Sequence, residues 1–318
     1  MAKGKTPAGI FGRKLDFIDK SIDDLATSYS SSERWLYNRI IKEVLPELNV
    51  ENGIIQSTNS NIDILTRKLN SVMESLRVGR NRSIVSDILK NMSGISDFNN
   101  QYFALSSDIA DDLFKKATGR VETIMQRSLG FNPDGSIIPR SFVDTISNLD
   151  DINNTIRDAA VRNIQGGNSV AQFTEELSES IRTNENGLGI LNRNRGQIIN
   201  DRYAQYDRAE SKSFADELKM QAFIFSGGKV RDTRDFCCKR NGIVFTREEA
   251  KVWSSISWSG KNRGYVPLID MGGYNCRHSP QWISNRVAMR RRDDLEINKD
   301  GKLVSKTGRR QPPLNKGC

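Results

Sequence analysis

The stretch that decides the fold begins FSGGKVRDTRDFCCKRNGIVF at residues 225–245 and ends YVPLIDMGGYNCRHS at residues 265–279. It contains three of the four cysteines of the chain and its only histidine. Its apolar residues come in short pieces separated by glycine turns, whereas the apolar residues before it recur at helical spacing. We therefore predict a compact, turn-rich α+β module here, preceded by helices.

Amphipathic stripes and cap signals organise the chain before the module. The spacing of Ser169 and Gln172 is that of a capping box, as is the spacing of Ser30 and Glu33. The serine run at residues 28–32 predicts a break between two N-terminal helices, and the turn sequence at 131–136 predicts a joint between two helical parts. The long, polar helix expected at about 191–220 is predicted to face water or a partner chain over much of its surface.

These patterns predict a mainly α protein in four parts. We expect an elongated helical N-terminal region at 1–135, a helical region leading into the module at 136–221, the compact module at 222–285 and a basic, irregular tail at 286–318. Within the module, Thr246 and the acidic residues after it predict a cap and a short helix from Glu248 to Trp253, and Asn241-Gly242 predicts a hairpin-type turn.

Composition and charge predict the partners and the cellular location of the protein. The 318 residues carry a formal net charge of +9, of which the tail holds +6, with ten Lys and Arg against four Asp and Glu. Such a basic end predicts a polyanionic partner, or else a solvated tail. There is no signal-like or membrane-spanning apolar run, which predicts a soluble protein made in the cytoplasm with reduced cysteines and no membrane partner. A charged fraction of 27% predicts a modest hydrophobic core. We therefore expect the protein to be stabilised by contacts with neighbouring proteins, including self-association through its helices.

The cysteines and the histidine of the module form a candidate metal site. Cys237, Cys276 and His278 offer two thiolates and an imidazole, the ligands that zinc prefers, and a domain this small often needs such a clip. The fourth ligand would be Cys238, Asp232 or Asp235. The alternative is a buried cysteine and a hydrogen-bonded histidine in a tight turn.

The same residues also suit the active site of an enzyme. A catalytic Cys–His pair would need an acid to orient the imidazole, for which the candidates are Asp232, Asp235 and Asp270. The sequence contains neither a phosphate-binding glycine loop with its lysine nor a nucleophile elbow, and a single histidine excludes the two-histidine metalloprotease motif. No catalytic residue is assigned.

The order of residues in the module resembles the C-terminal module of the phage head morphogenesis family, the Mu-like minor head proteins. The pattern is Asp-x-Arg-x-x-Cys, Asn-Gly-x-x-Phe, Trp-x-Gly-Lys and Gly-Gly-Tyr-Asn-Cys-Arg-His, over about 60 residues. Here it comprises Asp232, Arg234, Cys237, Asn241, Gly242, Phe245, Trp258, Gly260, Lys261, Gly272, Gly273, Tyr274, Asn275, Cys276, Arg277 and His278.

The resemblance implies a structural protein of the virion, made in the host cytoplasm and acting in head assembly, DNA packaging or delivery. Its partners would be the portal or the major capsid protein, and packaged double-stranded DNA. The DNA would be contacted without sequence reading through the tail arginines Arg290, Arg291, Arg292, Arg309 and Arg310. Two alternatives stay open: a Cys–His hydrolase or metal-assisted nuclease delivered with the genome, and an assembly adaptor that does not touch DNA.

Overall fold

The computed structural model describes residues 6–106, 111–185, 187–228, 230–231, 233–309 and 311–316. The fold is mainly α, as the sequence predicts. Eight helices precede the module within these ranges: α1 (Pro7–Glu43), α2 (Asn59–Leu76), α3 (Arg82–Ser106), α4 (Asp111–Leu129), α5 (Phe142–Ser147), α6 (Asp150–Gln165), α7 (Val170–Ile181) and α8 (Gln197–Glu217). None of the described helices is both long enough and apolar enough to span a bilayer.

The chain forms two compact units, and each is built from separate stretches of sequence. Unit 1 comprises residues 1–19, 92–128 and 200–318, and unit 2 comprises residues 20–91 and 129–199. This division differs from the linear order of parts expected from the sequence. The cause is that α1, α3 and α8 each run past a unit boundary without a break, and only the boundary at 128/129 lies at the end of a helix, α4.

Unit 2 packs α2 against α6 and α6 against α7, beside a two-stranded hairpin of β1 (Val50–Glu51) and β2 (Ile54–Ile55). The capping box of Ser169 and Gln172 starts α7, as predicted. The expected box of Ser30 and Glu33 does not form, because α1 continues through the serine run. The Glu33 carboxylate instead lies buried and accepts hydrogen bonds from the backbone N–H groups of Thr183 (3.1 Å) and Asn192 (2.8 Å).

Unit 1 contains the module, whose centre is a three-stranded antiparallel sheet of β3 (Ala222–Ser226), β4 (Val244–Thr246) and β5 (Ser279–Ile283). The strand order is β4-β3-β5. The helices α9 (Asp235–Arg240), α10 (Arg247–Lys251) and α11 (Pro267–Asp270) lie between the strands in sequence. A capping box of Thr246 and Glu249 starts α10. Phe223, Phe225 and Phe245 of the sheet pack around the buried ring of Trp253.

The segment expected to be an irregular tail is folded over much of its length. It contains α12 (Asn285–Arg291) and an antiparallel hairpin of β6 (Leu295–Ile297) and β7 (Leu303–Ser305). Ala288, Leu295 and Leu303 join an apolar cluster with Ala222 and Ile224 of β3. The periodicity is hard to recognise in the sequence because each piece buries only one or two side chains between charged ones.

Replacement of Leu303 by Ala is expected to destabilise unit 1 by about 2–4 kcal/mol, because this side chain is 2% exposed within the cluster. Chemical denaturation followed by tryptophan fluorescence measures the change, since three of the four tryptophans belong to unit 1. The matched control is Ile297→Ala in the same hairpin, where the side chain is 49% exposed, and it should change stability by less than about 0.5 kcal/mol. Equal effects of the two substitutions would contradict this account of the tail.

Candidate metal centre

The two ends of the module meet in one buried cluster. Cys237 lies on α9, and Cys276 and His278 lie in the loop that enters β5. The Sγ atoms of Cys237 and Cys276 are 3.8 Å apart, and the Cys276 Sγ is 3.8 Å from Nδ1 of His278. All three ligand atoms lie within 4.8 Å of one another. A tetrahedral zinc ion with ligands at about 2.0–2.3 Å holds them about 3.3–3.8 Å apart, so this group could hold a metal ion.

The surroundings of Cys276 favour a thiolate. Its Sγ accepts hydrogen bonds from the backbone N–H groups of Gly272 (3.2 Å) and His278 (3.4 Å). The hydrogen bond from the Cys237 thiol holds the pKa of Cys276 well below its usual range, and it raises the pKa of Cys237 itself. The Arg208 guanidinium adds positive charge nearby and lowers the pKa of Cys276 further. The pair is therefore prepared to give up a first proton to an incoming cation.

The fourth position is not filled by either of the candidates that the structure describes. Cys238 is disulfide-bonded, in contrast to the expectation of reduced thiols, so its sulfur is no candidate. The Asp235 carboxylate is 71% exposed and pairs with Lys239 at 2.6 Å. Asp232 lies outside the described residues. Among the residues that are described, the group offers three ligand atoms.

Helix α8 fastens the loop that carries Cys276 and His278. The Asp201 carboxylate accepts a hydrogen bond from the Asn275 N–H at 3.0 Å, and the Asp207 carboxylate accepts one from the Ser279 hydroxyl at 2.8 Å. Between them the buried Arg208 donates to the carbonyl oxygens of Ile269 (3.0 Å) and Cys276. Burial raises the pKa of Asp201. The loop is thus held at both of its ends and in its middle.

The glycines and the tryptophan of the motif permit this close packing. A Cβ on Gly272 would lie 2.2 Å from the Cys237 Sγ, and one on Gly273, whose φ is +88°, would lie 2.0 Å from the Gly260 carbonyl oxygen. Trp258 donates its indole N–H to the Gly272 carbonyl at 2.9 Å. Only a residue without a side chain fits at these positions.

The other described motif residues have structural contacts. Arg234 packs against Gly260, where a Cβ would lie 2.5 Å from the guanidinium. Asn241 donates to the Gly227 carbonyl at 3.2 Å, and Gly242, with φ +81°, donates its N–H to the Phe225 carbonyl at 2.7 Å. Arg277 is 58% exposed and lies 3.9 Å from Asp19. Asp232 again falls outside the described residues.

The acids that would orient a catalytic histidine lie elsewhere. The Asp270 carboxylate accepts hydrogen bonds from the Asn262 amide (2.9 Å) and the Val266 N–H (2.6 Å). Asp235 pairs with Lys239, as described above. Nε2 of His278 has no hydrogen-bond partner among the described residues. The described acids therefore do not complete a catalytic triad with this imidazole.

The predicted DNA-contacting arginines divide into two kinds. Arg290, Arg291 and Arg309 are exposed, and Arg310 lies outside the described residues. The prediction for Arg292 is wrong. Its side chain is only 9% exposed and forms ion pairs with Glu249 (2.8 Å) and Asp294 (2.6 Å). Its side chain holds the tail against α10 and is not available for a phosphate.

Sequence reasoning missed the contribution of α8. We expected much of this helix to face water or a partner chain, yet Asp207, Arg208, Glu210 and Ser211 are all buried. Polar residues seven apart, such as Asp201 and Arg208, lie on one helix face, and this spacing was the available signal. Their partners are backbone atoms far along the chain, which residue patterns do not identify.

Gly272→Ala is expected to force the Cys237 sulfur out of the cluster, because the new methyl group would overlap it. The buried thiols should then react with a thiol reagent in the folded protein, and thermal melting should occur at a lower temperature. Gly228→Ala is the control, since a Cβ there has no atom within 4 Å. If the Gly272→Ala protein keeps unreactive thiols and the parent melting temperature, the close packing described here is wrong.

Comparisons with protein-family models, with curated proteins and with solved structures find no match to the chain. The resemblance to minor head proteins therefore rests on the motif residues of the module. A function for the chain has to be argued from those residues and from their geometry.

Proposed function

We propose that the chain is a structural minor head protein of a tailed phage, acting in head assembly and in DNA packaging or delivery near the portal. Its module would be fastened by a zinc ion bound to Cys237, Cys276 and His278. The protein would be made in the host cytoplasm and would reside in the virion, with the portal or the major capsid protein and the packaged DNA as partners. The observation that carries the proposal is the burial of this three-residue cluster at the convergence of the motif.

Burial favours a structural role over an enzymatic one. The three side chains are at most 6% exposed, so a substrate could not reach either sulfur without opening the module. A thiol nucleophile needs access to its substrate, whereas a structural zinc ion is enclosed by its ligands. Sulfur and nitrogen ligands in tetrahedral spacing also suit zinc better than magnesium or calcium, which prefer oxygen. The genome-delivered hydrolase or nuclease is thus the less favoured alternative.

The distribution of charge supports contact with DNA. Unit 2 contains 16 Lys and Arg against 18 Asp and Glu, whereas unit 1 contains 32 against 21. The whole positive excess of the chain therefore belongs to unit 1. Exposed Arg290 and Arg291 at the end of α12 and Arg309 after the hairpin belong to this excess. A net positive surface with exposed arginines attracts phosphate without reading sequence.

The purified full-length protein is expected to contain about one zinc ion per chain by elemental analysis, and a chelator should lower its melting temperature. The full chain is the right sample because α8 holds the metal loop. Cys276→Ser should lose the zinc, since a hydroxyl replaces a thiolate ligand. Asp235→Asn, which removes the exposed carboxylate that was a candidate fourth ligand, should keep it. A metal-free parent protein, or equal zinc in the parent and in Cys276→Ser, would overturn the zinc clip.

Binding to duplex DNA is expected to weaken steeply with salt. Joint replacement of Arg290, Arg291 and Arg309 by Ala should reduce the slope of log K against log salt by about 2.7, if each arginine contacts one phosphate. The control replaces three exposed arginines of unit 2, Arg67, Arg82 and Arg193, and should leave the slope unchanged. A parent protein without salt-dependent DNA binding would instead support the assembly adaptor that does not touch DNA.

A further inference from the structure

A lysine, an asparagine and two acids meet in the interior of unit 1, and none of the four belongs to the metal cluster. Lys14 comes from α1, Asn99 from α3, and Asp207 and Glu210 from α8. All four side chains are at most 2% exposed. Buried charged groups are costly, and such a group in a protein interior calls for an explanation.

The four side chains are in direct contact. The Lys14 Nζ lies 2.9 Å from Oδ1 of Asn99 and 2.6 Å from Oδ1 of Asp207. The same Asp207 oxygen accepts a hydrogen bond from Nδ2 of Asn99 at 3.2 Å, so one carboxylate oxygen bridges the amine and the amide nitrogen. Glu210 accepts a second hydrogen bond from this Nδ2 at 2.7 Å.

The asparagine carbonyl is polarised from a second direction. The Ser211 hydroxyl donates to Oδ1 of Asn99 at 3.1 Å, in addition to the contact from Lys14. Hydrogen bonds of this kind stabilise the negative charge that an oxygen gains when its carbonyl carbon is attacked. The Asn99 side chain thus has an amine at its carbonyl, a donor on its oxygen and acids at its nitrogen.

Aromatic side chains enclose the group. The Lys14 Nζ lies 4.8 Å from the centre of the Phe11 ring, and Tyr102 and Phe103 flank Asn99 along α3. Phe103 stacks on Phe214 of α8 with ring centres 4.9 Å apart. Exclusion of water strengthens the electrostatic interactions within such a site and prevents hydrolysis of the asparagine amide. Burial raises the pKa of Glu210 to about 7, so this acid can both hold and release a proton.

The geometry points to an autocatalytic isopeptide bond between Nζ of Lys14 and Cγ of Asn99. The site would take no cofactor, since both reactants and the proton carrier belong to the chain. Held reactants gain a large rate advantage over free ones, and here the Lys14 Nζ is already hydrogen-bonded to the carbonyl oxygen of the group it would attack.

The proposed step balances without any co-reactant. Lys14 passes one Nζ proton to Asp207, and the freed electron pair forms a bond to Cγ of Asn99. The bond from Cγ to Nδ2 then breaks, and Nδ2 leaves as ammonia with a second proton from Nζ, carried by the bridging Asp207 oxygen. The third proton stays on the new amide nitrogen, and Asp207 ends protonated. A buried ion pair is thereby converted into neutral groups, which removes the cost of enclosing two charges.

The bond would join helices α1 and α3 across 85 residues of sequence. All the reacting groups belong to unit 1, so the bond would cross-link that unit to itself. A covalent link at this place would keep the N-terminal part of α1 attached when the unit is heated or pulled. This inference does not rest on the proposed function, although Asp207 also accepts the hydrogen bond of Ser279 beside the metal loop.

The intact mass of the purified full-length protein tests the proposal. We expect a mass lower than that of the sequence by one ammonia, and a protease digest with a branched peptide that joins the segment of Lys14 to the segment of Asn99. The branched peptide is needed because succinimide formation at an Asn-Gly pair loses the same mass. A folded parent protein with the full sequence mass and two separate linear peptides would overturn the proposal.

Three variants locate the chemistry. Asp207→Asn keeps the shape of the side chain but cannot carry the proton, and it should show the full sequence mass and no branched peptide. Lys20→Gln removes an exposed lysine further along α1 that pairs with Asp24, and it should retain the branched peptide. If the Asp207→Asn chain is cross-linked as completely as the parent, Asp207 is not the proton carrier. The Lys14→Arg chain, which keeps the charge but not the nucleophile, should never show the branched peptide.

Discussion

The contact on which the module depends is the one between the buried Arg208 guanidinium and two carbonyl oxygens before β5, those of Ile269 in α11 and of Cys276 in the loop. A guanidinium out of water is tolerated only where several acceptors and a compensating charge surround it. Here the carbonyls are the acceptors, and the Cys276 thiolate is a compensating charge. The position of α8, the path of the loop and the ionisation of the cysteine therefore support one another, and a change to any one of them alters the other two.

Helix caps formed by residues close in sequence were predicted correctly, whereas contacts between residues far apart in sequence were not. The capping box at Ser169 and the cap at Thr246 are confirmed because each involves atoms three residues apart. The capping box predicted from the same spacing at Ser30 does not form, because the carboxylate of Glu33 binds Thr183, which is 150 residues away in sequence. Serines within α1 donate back to the helix instead of ending it, as Ser28 does to the carbonyl of Asp24.

The residues of the candidate metal site were predictable from the sequence, but the residues that hold them in place were not. The chain has one histidine and few cysteines, so the grouping of Cys237, Cys276 and His278 was predictable, and the structure brings all three together. Arg292 could not be classified by composition, since three adjacent arginines look alike in sequence. Only the packing of α12 turns one of them inward to Glu249 while its neighbours stay exposed.

The interleaving of the two units has a consequence for synthesis on the ribosome. Unit 1 needs residues 1–19 and 92–128 together with residues 200–318, whereas the last residue of unit 2 is 199. The first segments of unit 1 therefore emerge long before their partners, and unit 2 can be completed while unit 1 still lacks its sheet. Contacts between distant segments form slowly, because loop closure has to precede them. The Phe11 ring of α1 can pack on Tyr102 of α3 as soon as that residue has emerged, whereas Lys14 gains its partner Asp207 only when α8 has been made, so the interior of unit 1 is completed last.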